Sequence, residues 1–147
     1  MSDIRIRRCD LDDDDTLDVL LELQEETFGS VYHDRQRLAE SRWWIAWHGS
    51  GPAGYCGMTL YPQLSSVFLC LSGVLSGYRG QGLQRRLIRV RERAAVKLGY
   101  PRSVSYTTVD NAWSANNLIR CGYRLYVPKT EWGVDGAAYF QKQIGSH

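Results

Sequence analysis

The chain has 147 residues, 44% of them hydrophobic and 23% charged, which suits one soluble domain able to bury a core without disulfides or metal. Its formal net charge of +2 gives no electrostatic case for a nucleic-acid or membrane partner, and no apolar run approaches the ~20 residues of a membrane span. Cys9, Cys56, Cys70 and Cys121 stand far apart with no C-x-x-C pair, so they read as reduced core residues of a cytoplasmic protein. The opening Ser2-Asp3, without an apolar leader, fits the same compartment.

Residues 4–7 alternate Ile and Arg as a half-buried first strand does. The acidic run over 10–15 suits the positive end of a helix dipole. Lacking D-x-D-x-D-G spacing and a downstream Glu, it reads as a helix cap in preference to a metal-binding run, and no metal is expected. Leu17, Leu20, Leu21 and Gln24 mark the helix that follows, ending near Gly29, with a second short helix over 34–41. An aromatic strand over 43–47, a turn over 48–52 and a strand over 53–60 make a hairpin. Residues 67–75 are nearly all apolar and predict a central strand buried on both faces.

A turn containing Gly77, Gly80 and Gly82 comes next, then a helix with Leu83, Leu87, Val90, Ala94, Ala95 and Leu98 on one stripe. Arg85, Arg86, Arg89 and Arg93 fall outside that stripe. Gly99 caps the helix and Pro101 forbids its continuation. A fifth strand spans 103–109, a short helix 113–121 stops at Gly122, a sixth strand spans 123–127, and a last one 137–140. Gly145-Ser146-His147 reads as a frayed end.

A strand, a glycine turn and a helix start in that order make an anion site. The first amides of a helix lack intrahelical partners and carry the positive end of its dipole. The Walker spacing and the dinucleotide pattern G-x-G-x-x-G are both absent. Instead, Val74-Leu75-Ser76-Gly77-Tyr78-Arg79-Gly80-Gln81-Gly82-Leu83-Gln84-Arg85-Arg86-Leu87-Ile88 resembles motif A of the GNAT superfamily of acyl-CoA-dependent N-acyltransferases. The family pattern Q/R-x-x-G-x-G/A, laid from Arg79, meets Gly82 and then Gln84; laid from Gly77, it meets Gly80 and Gly82. Further on, Asn111, Ser114, Gly122 and Tyr123 fall on positions of motif B. Asn117 replaces the usual Leu of that motif, and Leu118 stands where many members carry the Tyr that protonates the departing thiolate.

The resemblance covers nearly the whole chain. It implies one domain over 1–147 with a mixed α/β (α+β) fold: about seven mostly antiparallel strands, helices on both faces, and central fourth and fifth strands that splay to admit a pantetheine. Acetyl-CoA is the implied donor, held by Val74, Leu75, Arg79, Gly80, Gln81, Gly82, Leu83, Gln84, Arg85 and Arg86, with Asn111, Ser114 and Asn117 from motif B. The pyrophosphate is expected on the amides of the turn, and the thioester oxygen near the Val74 N–H. The acceptor is a primary amine of a small molecule or of a peptide or protein. Its surface is implied over 25–37 and 129–136, which carry Glu25, Glu26, Phe28, Tyr32, His33, Glu131, Trp132 and Asp135. Among carboxylates near that mouth, Glu26 is the candidate base, acting through a water, and Tyr106 the candidate acid. A homodimer is left open.

Each feature also has a plainer reading. The arginines can be a solvated helix face, Gly80 and Gly82 an ordinary turn, and Asn111 with Ser114 a helix cap. Trp43, Trp44 and Trp47 read as packing aromatics, and His33 and His48 as loop residues. Two other functions stand beside acetyl transfer. One is a GNAT-like module that holds CoA or a protein partner without chemistry, which the Leu118 departure favours. The other takes the six arginines from Arg79 to Arg93 as a nucleic-acid face, which the small net charge disfavours.

Overall fold

The computed structural model describes residues 3–30 and 33–145. It contains β1 (Ile4–Arg8), α1 (Asp14–Phe28), α2 (Arg35–Leu38), β2 (Arg42–His48), β3 (Gly51–Tyr61), β4 (Ser66–Val74), α3 (Leu83–Lys97), β5 (Arg102–Thr107), α4 (Ala112–Arg120), β6 (Arg124–Tyr126) and β7 (Ala138–Gln143). This is the order read from the sequence. Ser2, Tyr32, Ser146 and His147, singled out above, lie outside the described residues. The seven strands run in the order β1-β2-β3-β4-β5-β7-β6. The β1–β2, β2–β3, β5–β7 and β6–β7 pairs are antiparallel and β4–β5 is parallel. Two compact units share the chain: one takes the residues up to Thr59 with Cys70–Leu87, the other Leu60–Leu69 with the residues from Ile88 onward.

In the first unit the acidic run does cap a helix. The Asp13 carboxylate accepts the Asp15 N–H at 3.3 Å and the Thr16 hydroxyl at 2.8 Å, and α1 closes at Gly29, whose φ of 78° suits a residue without Cβ. Leu20 and Leu23 of α1 pack with Leu38, Trp43, Ile45 and Tyr55. Each fully buried aliphatic side chain there contributes roughly 1.5–3 kcal/mol. Neighbouring residues of β3 face the other way. A Cβ on Gly54 would lie 3.4 Å from the Leu83 side chain, and Cys56 Sγ lies 3.7 Å from the Leu87 carbonyl. Period-two alternation thus gives one face of this hairpin to α1 and the other to the start of α3. Trp43 and Trp44 are buried, as packing aromatics should be, and Trp43 Nε1 donates to the Leu38 carbonyl at 2.8 Å.

In the second unit the β4–β5 ladder joins Ser66 to Arg102, Val67 to Ser103 and Phe68 to Val104. Those are its only pairs among the described residues, although β4 continues to Val74 and β5 to Thr107. Just past the last pair, Ser105 Oγ donates to the Leu69 carbonyl at 3.0 Å. The Tyr123 hydroxyl donates to Ser103 Oγ at 2.7 Å, and Lys142 Nζ bridges Glu92 at 3.1 Å and the Cys121 carbonyl at 2.6 Å.

Four expectations need correction. Residues 70–73 of β4 are half-buried, so the strand is not enclosed on both faces along its length. Leu98, placed on the apolar stripe of α3, is 44% exposed because it lies beyond the helix end, against Gly99. Arg91 is 2% exposed: it stands four residues from both Leu87 and Ala95 and shares their face, so the basic surface loses one of its six arginines. Strands β5 and β6 end before Val109 and Val127, which are 79% and 94% exposed.

Candidate functional site

Most of the predicted donor residues fall together in the first unit. A 3-10 turn over Ser76–Tyr78 follows β4, and Gly80 and Gly82 then take φ of 77° and 80°, a region costly for any residue with a Cβ. The chain so reverses into α3 with its first amides lacking backbone partners. The N–H groups of Gly80, Gln81, Gly82, Leu83, Gln84 and Arg85 make no backbone hydrogen bond among the described residues; the first to do so is Arg86, to the Gly82 carbonyl at 3.2 Å. Around Gly80 the space of a Cβ is empty, and at Gly82 its nearest neighbour would be Arg85 Nη2 at 3.8 Å. Open space at Gly80, unpaired donors, a helix dipole and a guanidinium together suit an anion such as a phosphate group.

Side chains brace the turn from behind. Arg79 Nε donates to the Val74 carbonyl at 3.0 Å, and the Leu75 N–H donates to Ala53 at 2.9 Å, so both ends of that peptide are held. Gln84, 8% exposed, donates to Ser72 Oγ at 2.8 Å. Leu83 is buried. Arg86 sends Nη2 to the Ile4 carbonyl at 2.8 Å, which ties α3 to the first strand; its neighbour Arg85 is exposed. Sequence reasoning missed the contact of His48 with this turn, where Nδ1 lies 2.9 Å from the Tyr78 hydroxyl. No local signal links residues so far apart.

Glu25 and Glu26 sit exposed on the last turn of α1 in this same unit. His33 follows, its backbone clamped by buried Gln24: Nε2 donates to the His33 carbonyl and Oε1 accepts its N–H, both at 2.8 Å. Burial, then Arg37, lowers the imidazole below its ordinary value, so near neutral pH the ring is uncharged.

The remaining residues lie in the second unit. Asn111 caps α4 by accepting the Ser114 N–H at 3.1 Å, and Asn117, 7% exposed, donates to the Trp113 carbonyl at 3.1 Å. Leu118 is buried and offers no titratable group. Tyr106 stacks on Phe68 with centroids 5.6 Å apart, and Trp132 meets it edge-on at 5.3 Å. The Gly133 backbone presses against the same ring, a Cβ there falling 2.9 Å from Tyr106 Cδ2. Beside this cluster an open groove of about 400 Å³ is lined by Tyr126, Pro128, Glu131 and Tyr139, among others. Glu131 and Asp135 are exposed. Among the described residues, no group of three or more His, Cys, Asp or Glu is placed to hold a metal ion, and no helix is long and apolar enough to cross a membrane.

The sequence profile of the Acetyltransferase (GNAT) family matches residues 9–123. No curated protein matches the chain by sequence. Among solved structures, the ribosomal-protein-S18-alanine N-acetyltransferase from Escherichia coli is similar with a TM-score of 0.78 at 14% identity, over 98% of this chain and 96% of that one. A Bacillus subtilis acetyltransferase in complex with CoA gives 0.76 at 16% identity, over 95% and 98%. The Salmonella typhimurium protein yncA with its cofactor acetyl-CoA gives 0.73 at 17% identity, over 99% and 96%.

Proposed function

The chain belongs to the acetyltransferase (GNAT) family, and on that premise we propose that it acts as one acetyltransferase domain, carrying acetyl from acetyl-CoA to a primary amine of a small molecule, peptide or protein. The observation that carries the reading is the row of N–H groups from Gly80 to Arg85 without backbone partners, at the positive end of α3. They match the pyrophosphate of the donor in charge and geometry, with Arg85 beside them. Neighbours holding CoA or acetyl-CoA support this donor, and one named for a ribosomal-protein alanine supports an amine acceptor.

In this reading the free amine attacks the thioester carbonyl carbon. The oxygen takes negative charge beside the Val74 N–H, the C–S bond breaks, and the thiolate leaves with a proton. An ammonium has no lone pair, so a base must take a proton from a group of pKa roughly 8–10. Glu26 is the proposed base, through a water, and Tyr106 the proposed acid. Asn111, Ser114 and Asn117 are proposed as further donor contacts, although two of the three side chains already serve α4.

A second reading, a module that holds CoA without chemistry, is favoured by one observation: the position where many members carry their acid is buried Leu118. One assay separates the two. Purified protein is given acetyl-CoA with phenethylamine, 1,4-diaminobutane, Nα-acetyl-lysine or a decapeptide with a free amino terminus, and thiol release is followed. At least one amine should raise the rate well above hydrolysis. Tight acetyl-CoA binding with no acceleration by any amine would leave the module reading standing.

A further inference from the structure

Gly73 lies inside β4, one residue before Val74. A Cβ built there would fall 2.7 Å from Thr27 Cγ2, 2.9 Å from Thr27 Cβ and 2.9 Å from Tyr55 Cε1. Only a glycine lets the last turn of α1 and the middle of β3 come this close to the strand. The two side chains are themselves joined. Thr27 Oγ1 lies 2.8 Å from the Leu23 carbonyl and 3.0 Å from the Tyr55 hydroxyl. A threonine hydroxyl has one proton and the carbonyl can only accept, so Thr27 donates to Leu23 and Tyr55 donates to Thr27.

The Tyr55 side is rigid. It is 0% exposed, pairs with Ile45 in the β2–β3 ladder and stacks on Trp43 with centroids 6.4 Å apart. Burial, only partly opposed by the Thr27 bond, raises its hydroxyl above the ordinary range, which keeps the donated proton in place.

We propose that Thr27 and Tyr55 are positioning residues for acyl transfer, clamping α1 against Gly73 so that Val74 and Glu26 are held in fixed relation. The inference rests on the acetyltransferase reading, in which Val74 receives the thioester oxygen and Glu26 serves as base. On one side Val74 is set by Arg79 and the Leu75–Ala53 bond; on the other it is set by Gly73 lying against the clamp. Glu26 is the residue before Thr27, so the same contact fixes the helix turn that carries it. The hydroxyl pair adds no apolar burial to the cluster of Leu20, Leu23 and Tyr55; what it sets is the placement of the helix turn, and a misplacement of about 1 Å at reacting groups costs about a hundredfold in rate.

The test compares Thr27→Val, which keeps the shape and loses the hydroxyl, with Tyr55→Phe, Thr27→Ser and the Thr27→Val/Tyr55→Phe double variant. The acceptor is whichever amine of the panel above works best with the wild type. Thr27→Val and Tyr55→Phe should each lower kcat by about ten- to a hundredfold, the range expected for misplacement of reacting groups. KM for acetyl-CoA should stay within about twofold, because the Gly80–Arg85 amides are untouched. The double variant should cost no more than the worse single one, and Thr27→Ser should keep most of the rate. Folded Thr27→Val with wild-type kcat would overturn the clamp, as would a loss confined to melting temperature or a rise in KM matching the fall in kcat. Should Tyr55→Phe fail to fold, Thr27→Val decides alone. A wild type that binds no acetyl-CoA would instead reject the acetyltransferase reading itself, so the two failures are distinguishable.

Discussion

Replacing Gly82 by Asp and, separately, by Asn distinguishes charge from backbone strain at the phosphate turn. Gly82 has φ of 80° and its Cβ space is open, the nearest atom being Arg85 Nη2 at 3.8 Å. Neither side chain therefore clashes, and both carry the same left-handed cost of about 1–2 kcal/mol, near the lower end because Asn and Asp tolerate that region best. The variants differ by one charge. A carboxylate about 5 Å from one pyrophosphate charge, at an effective dielectric of about 20, is opposed by roughly 3 kcal/mol. Screening at physiological ionic strength removes about half of that. The acetyl-CoA dissociation constant should thus rise about ten- to a hundredfold more for Gly82→Asp than for Gly82→Asn. Calorimetric titration of both proteins at low and at high salt measures it, and the gap should narrow as salt rises. Equal affinities in the two variants would refute an anion site at this turn, whatever their common loss against wild type.

Arg85→Gln should weaken CoA about tenfold more than dephospho-CoA, which lacks the 3′-phosphate that a guanidinium pairs with. Arg86→Gln should instead lower the denaturation midpoint, losing about 1–3 kcal/mol with the bond to the Ile4 carbonyl; a large ligand effect with unchanged stability would reverse those roles. Glu26→Gln should abolish the rising limb of the pH–rate profile and Tyr106→Phe should lower kcat about tenfold; a full rate and an intact limb in either variant would remove that residue from the mechanism. His33 titrates below its ordinary value of 6.5 in the folded chain, so the unfolded chain binds more protons between the two values. Stability should consequently fall as pH drops from about 6.5 through the folded value, and His33→Phe should flatten that part of the curve in chemical denaturation at stepped pH. An identical slope in wild type and variant would refute it.

The apolar periodicity of residues 17–24 and the acidic run before them suffice to predict α1 and its cap, since capping joins residues within one turn. The glycine spacing over 77–82, between an apolar strand and an amphipathic helix, likewise foretells the left-handed turn and the unpaired first amides of α3. Arg91 shows where residue type misleads: hydropathy places arginine outside, but its position four residues from Leu87 and Ala95 puts it on the buried face. Glu26 and Tyr106 mark a further limit. The roles proposed for them depend on which side chains face a substrate, and no repeat or spacing encodes that.

The sequence by itself determined the order of the elements, their caps, the glycine turn before α3 and the family, because each depends on residues near one another along the chain or on a short motif. Nothing near Gly73 along the chain names the neighbours that its missing Cβ admits. Only the tertiary structure decided that Thr27 and Tyr55 meet there, 28 residues apart, and that Arg86 reaches the Ile4 carbonyl across 82. Such partners are selected by how packed elements interlock. A hydroxyl or guanidinium can satisfy its hydrogen bonds with many groups, and the close-packed interior alone fixes the one it takes.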